Sequence, residues 1–372
     1  MDVLKALELP NSQPVMAGEG SVAAKPLVSL VVPAYNEASI VDQNLRELCH
    51  HMESLEHEYR WELVVVNDGS ADETGALAEA VARSRNNIHV LHHRRNFGLG
   101  QAFKTALDYC RGDYIVTLDM DLSYSPDHIA KLLSAITKTN VKIVVASPYM
   151  EGGQISNVPW LRRQLSIWAN RFLSLASKGR LSTLTGMVRA YDGKFLRSLN
   201  LKATGMEINP EIVYKATLLG AELQEIPAHL NWQFAKTKGD QRKSSMRLLR
   251  HTLSVLLSGF LFRPVMFFLV PGFGLLLFAL YVNGWMLVHF FNYYQTLDQY
   301  NWFFARASVA VSAAYKEFPH TFIVGGLASM LAIQLISLGI LALQSKSYFE
   351  EIYHLGTNLY NGRNERGKGD NG

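Results

Sequence analysis

The chain has 372 residues, with 36 Lys and Arg set against 32 Asp and Glu for a formal charge of +4. That balance does not suggest nucleic acid, and the basic residues gather beside apolar segments rather than in a stripe interleaved with aromatics, so no nucleic-acid partner is expected. Two cysteines, Cys49 and Cys110, argue against a disulfide framework and fit a reducing compartment.

Residues 1–25 lack a basic start followed by a continuous apolar run, so they read as a flexible leader rather than a signal peptide. Leu27 to Pro33 reads as a first buried strand, and Ile40, Leu45, Leu48 and Met52 are spaced for one helical face. A second strand, Trp61 to Val66, ends at Asn67-Asp68-Gly69-Ser70, after which Ser70 or Asp72 is placed to cap a helix carrying Leu77, Ala80 and Val81. Ile88 to Leu91 is the third strand, 99–110 a helix, Tyr114 to Leu118 the fourth strand, Pro126 to Ile136 a helix and Val141 to Ala146 another strand. Alternation of this kind predicts an α/β fold with a mostly parallel sheet flanked by helices.

Residues 159–178 set Leu161, Leu165, Trp168, Phe172 and Leu173 against Arg162, Arg163 and Arg171, the pattern of an amphipathic helix that lies in a membrane interface or presents a solvated basic face. Residues 243–258 repeat it with Lys243, Arg247 and Arg250. Two uncharged stretches, about 265–288 and 321–344, are each long enough to cross a hydrocarbon core and predict a transmembrane hairpin. Lys and Arg flank its outer ends, whereas the connecting segment holds only Arg306 and Lys316, which puts the large amino-terminal part and the tail on the cytoplasmic side of a bacterial inner membrane or its equivalent. In that connection Trp302, Phe303 and Phe304 suggest re-entry into the opposite interface. The expected division is a leader (1–25), a catalytic domain (26–235), a basic loop with a juxtamembrane helix (236–263), the hairpin (264–345) and a tail (346–372), disordered beyond Asn361.

Asp119-Met120-Asp121 closes the fourth strand, where open α/β sheets bind ligands. Hard divalent ions such as Mg²⁺ or Mn²⁺ bind through one or two carboxylates plus substrate phosphates, so the triplet suggests a metal-bridged diphosphate; a solvated turn is its bland alternative. Three other strand ends carry polar groups: Pro33-Ala34-Tyr35-Asn36-Glu37, Asn67-Asp68-Gly69-Ser70 and Arg94-Arg95-Asn96-Phe97-Gly98-Leu99-Gly100. No G-x-G-x-x-G follows the first strand, which argues against a dinucleotide fingerprint. His92 and His93 lack metal-ligand spacing and read as solvated loop residues, and Cys110 as packed core.

In this order and spacing the motifs resemble family 2 inverting glycosyltransferases of the GT-A fold, above all the dolichol-phosphate mannose synthase-like polyprenyl-phosphate glycosyltransferases. The resemblance runs from Leu27 to about Leu257, and the hairpin matches members that carry one. It implies that Pro33, Tyr35, Glu37 and Asp68, with Asp119, bind the nucleotide, and that Asp119 and Asp121 hold the metal, with Ser123 where the family commonly has a Gln ligand. Arg162, Arg163 and Ser166 match the helix that grips the lipid phosphate, and Arg242 and Lys243 the basic loop over the donor diphosphate. Asp119, Asp121 and Arg163 form the implied catalytic set. Tyr149, Gly152 and Gly153, the segment Thr185 to Tyr191, and Glu211 match further family positions, whereas Pro148 replaces a common Arg. The implied reaction is inverting transfer of one sugar from GDP-mannose or a UDP-hexose to dolichyl or undecaprenyl phosphate, by a homo-oligomer in the bilayer. Two alternatives stay open: a membrane glycosyltransferase acting on a hydroxyl, and a catalytically silent scaffold or lipid-sugar flipping helper.

Overall fold

The computed structural model describes residues 25–158, 160, 163, 164, 167, 181–231, 265–298 and 301–369. Its amino-terminal part alternates β1 (Leu27–Ala34), α1 (Val41–Ser54), β2 (Arg60–Asn67), α2 (Thr74–Ala82), β3 (Ile88–His92), α3 (Leu99–Tyr109), β4 (Tyr114–Thr117), α4 (Asp127–Lys138) and β5 (Ile143–Ser147). Then come β6 (Gln154–Ser156), β7 (Arg189–Asp192), α5 (Gly193–Ser198), α6 (Ile208–Leu218), β8 (Leu223–Pro227) and β9 (His229–Asn231).

Among the described residues one seven-stranded sheet runs in the order β3-β2-β1-β4-β7-β5-β8. β1, β2, β3 and β4 pair in parallel, as do β5 and β8, while β7 is antiparallel to both β4 and β5. Helices cover both faces, so the central strands are apolar at nearly every position. Val28, Leu30 and Val32 of β1 pack with Leu45, Met52 and Leu132 on one face. Val31, one residue out of phase, packs with Val64, Phe103 and Ile212 on the other. β1 continues to β2 on one side and has β4 on the other, so strand order reverses between β1 and β4. Ligands bind at such a switch point, outside the carboxyl ends of the strands.

The structure departs from the sequence reading in its later strands and in its tail. β7, β8 and the small parallel pair β6-β9 had not been read as strands; β7 carries a buried Arg189, and β8 is a half-buried edge strand that lacks the continuous apolar run of the centre. Asp72, one of the two caps read for α2, does accept from the Thr74 N–H at 3.0 Å, so that expectation holds. The tail expected to be disordered instead prolongs the last helix to Gly369.

A π-helical turn at Val265–Leu269 leads into α7 (Val270–Thr296), followed by α8 (Phe303–Glu317) and the 51-residue α9 (Pro319–Gly369). Phe267–Thr296 and Pro319–Tyr353 are long and apolar enough to cross a membrane, and large side chains such as Leu277, Tyr281, Leu327 and Ile333 point outward from them. The two pack antiparallel through small residues. A Cβ on Gly339 would meet Leu269 at 2.6 Å, and the Asn283 amide donates to Ser329 Oγ at 2.9 Å. At the turn of this hairpin, Ala310 and Ala314 of α8 are buried, Arg306 Nε donates to the Tyr294 carbonyl at 2.8 Å, and Trp302, Phe303 and Phe304 are exposed. The segments 159–178 and 243–258, read as amphipathic helices, lie largely and wholly outside the described residues.

Candidate active site

β1 ends in a loop pinned to the loop after β2. Asn36 sits in the left-handed region at φ 55°, donates its N–H to Ser70 Oγ at 3.0 Å and accepts at Oδ1 from the Ala71 N–H at 2.9 Å. The Glu37 N–H donates to Thr74 Oγ1 at 2.7 Å. Pro33 and Glu37 are half-buried here, and Tyr35 is exposed beside them.

Asp68, only 4% exposed, faces the third loop. Its Oδ1 accepts from His93 Nδ1 at 2.7 Å and the Phe97 N–H at 2.9 Å, and its Oδ2 from the Gly98 N–H at 2.9 Å. Three donors from the β3-α3 loop thus meet the carboxylate expected to reach base or ribose, and Oδ2 keeps acceptor capacity for a ligand. His93, expected in solvent, is largely withdrawn from it, with its side chain 9% exposed and its Nε2 meeting Thr105 Oγ1 at 2.9 Å. Gly69 allows the two loops to touch: it has φ 66°, and a Cβ there would lie 2.1 Å from the Arg95 carbonyl carbon.

Across the switch point the chain leaves β4 through a tight turn. Asn44 of α1 donates to the Met120 carbonyl at 2.8 Å, Leu122 adopts φ 47°, and the Ser123 N–H donates to Asp121 Oδ1 at 3.0 Å. Burial, together with the charge of Asp121, raises the Asp119 carboxyl to about 7. Among the described residues neither carboxylate forms an ion pair, and no third His, Cys, Asp or Glu joins them. A pair of crowded carboxylates without a protein cation fits a divalent ion that takes its remaining oxygens from a ligand's phosphates. Ser123, whose N–H caps Asp121, also lines a cavity of about 540 Å³ with Asn44, Glu47, Asp127, His128 and Lys131.

Behind the turn lies Arg189, which is fully buried and donates to the carbonyls of Leu184 and Gly186 at 2.7 and 2.8 Å. Burial lowers its pKa, but the guanidinium stays the donor that fixes the 184–186 turn. Glu211 pairs with Lys215 at 2.6 Å and accepts from the Ala203 N–H at 2.7 Å, so it braces a loop. Tyr149 and Gly153 follow β5, with Gly153 closing a turn onto the Met150 carbonyl. Arg163 is exposed; Arg162, Ser166, Arg242 and Lys243 lie outside the described residues. Sequence reading missed His93 and Asn44. No local pattern marks them, because their partners are 25 and 76 residues away.

Residues 29–199 match the family model described as glycosyl transferase family 2. The chain is also 30% identical over 209 residues to an undecaprenyl-phosphate mannosyltransferase of Micrococcus luteus, covering 54% of this chain and 82% of that one. The chain belongs to glycosyl transferase family 2. This family 2 glycosyltransferase is likewise 29% identical over 230 residues to a polyprenol monophosphomannose synthase of Mycolicibacterium smegmatis, covering 59% of this chain and 84% of that one. A glucosyl-3-phosphoglycerate synthase from Mycobacterium tuberculosis, solved with Mn²⁺, UDP and phosphoglyceric acid, superposes with a TM-score of 0.48 at 18% identity over 63% of this chain and 78% of that chain. The enzyme has the GT-A architecture, a mostly parallel sheet between helices, followed by two apolar helices outside the matched span.

Proposed function

We propose that this glycosyltransferase moves a single sugar from a nucleotide-sugar donor, GDP-mannose or a UDP-hexose, onto a polyprenyl phosphate, dolichyl or undecaprenyl, with inversion at C1. One observation carries the reading: a carboxylate pair at the β1/β4 switch point stands in the same chain as a hairpin apolar enough to share the bilayer with a lipid acceptor. The relatives from Micrococcus luteus and Mycolicibacterium smegmatis, named for polyprenyl-linked mannose transfer, support the acceptor class.

Pro33, Tyr35, Glu37 and Asp68, with Asp119, bind the nucleotide, and Asp68 also holds the neighbouring loop in place. Asp119 and Asp121, with Ser123, would hold Mg²⁺ or Mn²⁺. The bound ion supplies Lewis-acid neutralisation of charge on the leaving diphosphate. Arg242 and Lys243 add charge-assisted hydrogen bonds to the same group, and Arg162, Arg163 and Ser166 hold the acceptor phosphate. An acceptor phosphate oxygen attacks C1, the C1–O bond to the diphosphate breaks, and its electron pair leaves with the nucleoside diphosphate. The acceptor is already an anion, so no proton needs removing and no general base is required. Positioning and electrostatics do the catalysis, on the cytoplasmic side.

The test is purified full-length protein with Mn²⁺ or Mg²⁺, labelled GDP- and UDP-sugars and a short polyprenyl phosphate. Label is expected in the organic phase with one donor, and Arg163→Ala should chiefly raise the KM for the lipid. Folded protein that transfers no label from any donor would overturn the reading.

A further inference from the structure

A hydrocarbon core of about 30 Å takes about 20 helical residues. α9 has 51, and its turns from Lys346 on, after the uncharged run 321–344, pack against the catalytic domain. Phe349 stacks on the Tyr214 ring of α6 with centroids 6.2 Å apart and planes 17° from parallel. The Tyr214 hydroxyl donates to Glu350 Oε1 at 3.1 Å, and the Tyr353 hydroxyl donates to the Leu199 carbonyl at 3.2 Å. Lys346, 3.7 Å from Glu350, lies over the Tyr214 ring at 5.7 Å, and Lys215 lies over the Tyr353 ring at 5.5 Å. Positions 346, 349, 350 and 353 fall at i, i+3, i+4 and i+7, so one stripe of the emerging helix makes every one of these contacts.

The surface that receives this stripe is braced to the site. Lys215 pairs with Glu211, Glu211 holds the Lys202 and Ala203 N–H groups, and the adjacent Thr204 carbonyl accepts from the Gln101 N–H at 3.1 Å. Gln101 belongs to the first turn of α3, which follows the loop that Asp68 clamps. Hydrogen bonds and ion pairs therefore link the second apolar helix to the nucleotide-side loops.

We propose that Lys346–Tyr353 is a strut that fixes the height and tilt of the catalytic domain over the bilayer, with Tyr214 and Tyr353 as positioning residues. This rests on the reading of the acceptor as a lipid phosphate. A phosphate on a membrane lipid is confined to headgroup depth, so the domain that meets it gains from being held at one distance. A helix continuous with a membrane span supplies that constraint.

The experiment compares full-length protein with Glu350→Ala/Tyr353→Ala, both reconstituted in proteoliposomes. Hydrogen exchange across Ile208–Leu218 should rise in the variant. Förster transfer from a dye on Lys138→Cys, an exposed position at the end of α4, to headgroup-labelled lipid should shift and broaden. Turnover with bilayer-embedded polyprenyl phosphate should fall at least about tenfold, while turnover with a short, water-soluble prenyl phosphate stays unchanged. Unchanged exchange and transfer efficiency, or an equal loss with both acceptors, would overturn the strut. If the unaltered protein uses neither acceptor, the acceptor assignment fails, and exchange and Förster transfer still decide whether the strut holds the domain.

Discussion

His93 Nδ1 lies 2.7 Å from Asp68 Oδ1, and the opposite ring nitrogen meets Thr105 Oγ1 at 2.9 Å, so one imidazole joins the end of β2 to the second turn of α3. A carboxylate only accepts, which assigns the proton to Nδ1. Phe97 packs edge-on against the same ring at 5.3 Å. The histidine therefore holds the carboxylate that holds the loop.

His93→Ala should leave Asp68 buried and short of one donor, at a cost of roughly 1–3 kcal/mol. Nucleotide-sugar affinity should weaken by about tenfold, as titration calorimetry would record, with faster exchange at Phe97 to Gly100. His93→Gln restores a donor and should recover part of both. Equal behaviour of the Ala and Gln variants would show that the ring only fills space.

Asp121→Asn removes the like charge beside Asp119 and retains a side-chain oxygen for the Ser123 N–H. In chelator its melting temperature should equal or exceed that of the unaltered protein, because the two carboxylates no longer repel. With millimolar Mn²⁺ the unaltered protein should gain stability by ligand linkage and the variant should not, while transfer activity falls at least about a hundredfold. Thermal scans with and without Mn²⁺ separate this loss from unfolding.

The alternation of strand and helix is readable because β1, β2 and β5 are covered on both faces and so are largely apolar. The Asp119-x-Asp121 motif was readable because it ends such a run. β7 was not: Arg189 and Asp192 bound it, and its place between β4 and β5 depends on pairing with segments distant in sequence. Asp68 was legible as a strand-end carboxylate but not as a loop clamp, since its three donors come from the third loop. The strut was hidden because Gly356, Asn358, Asn361 and Gly362 weaken the helical signal, and the stripe at 346–353 has meaning only opposite α6.

His128 of α4 donates from Nδ1 to the Ser125 carbonyl at 2.8 Å and accepts at Nε2 from the His229 N–H at 3.1 Å. Burial pushes its pKa below the ordinary 6.5, outweighing the Ser125 bond that pulls it up. The unfolded chain thus binds a proton that the folded chain refuses. The resulting stability is complete above pH 6.5 and is lost as pH falls through the folded-state value. His128→Asn should flatten the dependence of melting temperature on pH between about 5 and 7, because Asn offers an acceptor that does not titrate there. Parallel slopes for both proteins would remove His128 from the acid sensitivity.

Gly325 and Gly326 are adjacent on α9 and predict opposite outcomes. A Cβ on Gly325 would lie 2.4 Å from Asn283 Oδ1, whereas a Cβ on Gly326 would meet nothing within 4 Å. Gly325→Ala must therefore displace the Asn283 side chain from Ser329 Oγ, now 2.9 Å away. Hydrogen bonds between membrane helices are worth about 0.6–2 kcal/mol, and Gly325→Ala should lose that much hairpin stability. Gly326→Ala should lose none, and gains a better helix former by roughly 1 kcal/mol. Unfolding of the full chain in mixed SDS micelles, followed by circular dichroism, ranks the two. Asn283→Leu should match Gly325→Ala, and in the double variant the two losses should not add, since both remove one contact. Full additivity would mean that Gly325 is small for close backbone approach and that the Asn283 bond is incidental.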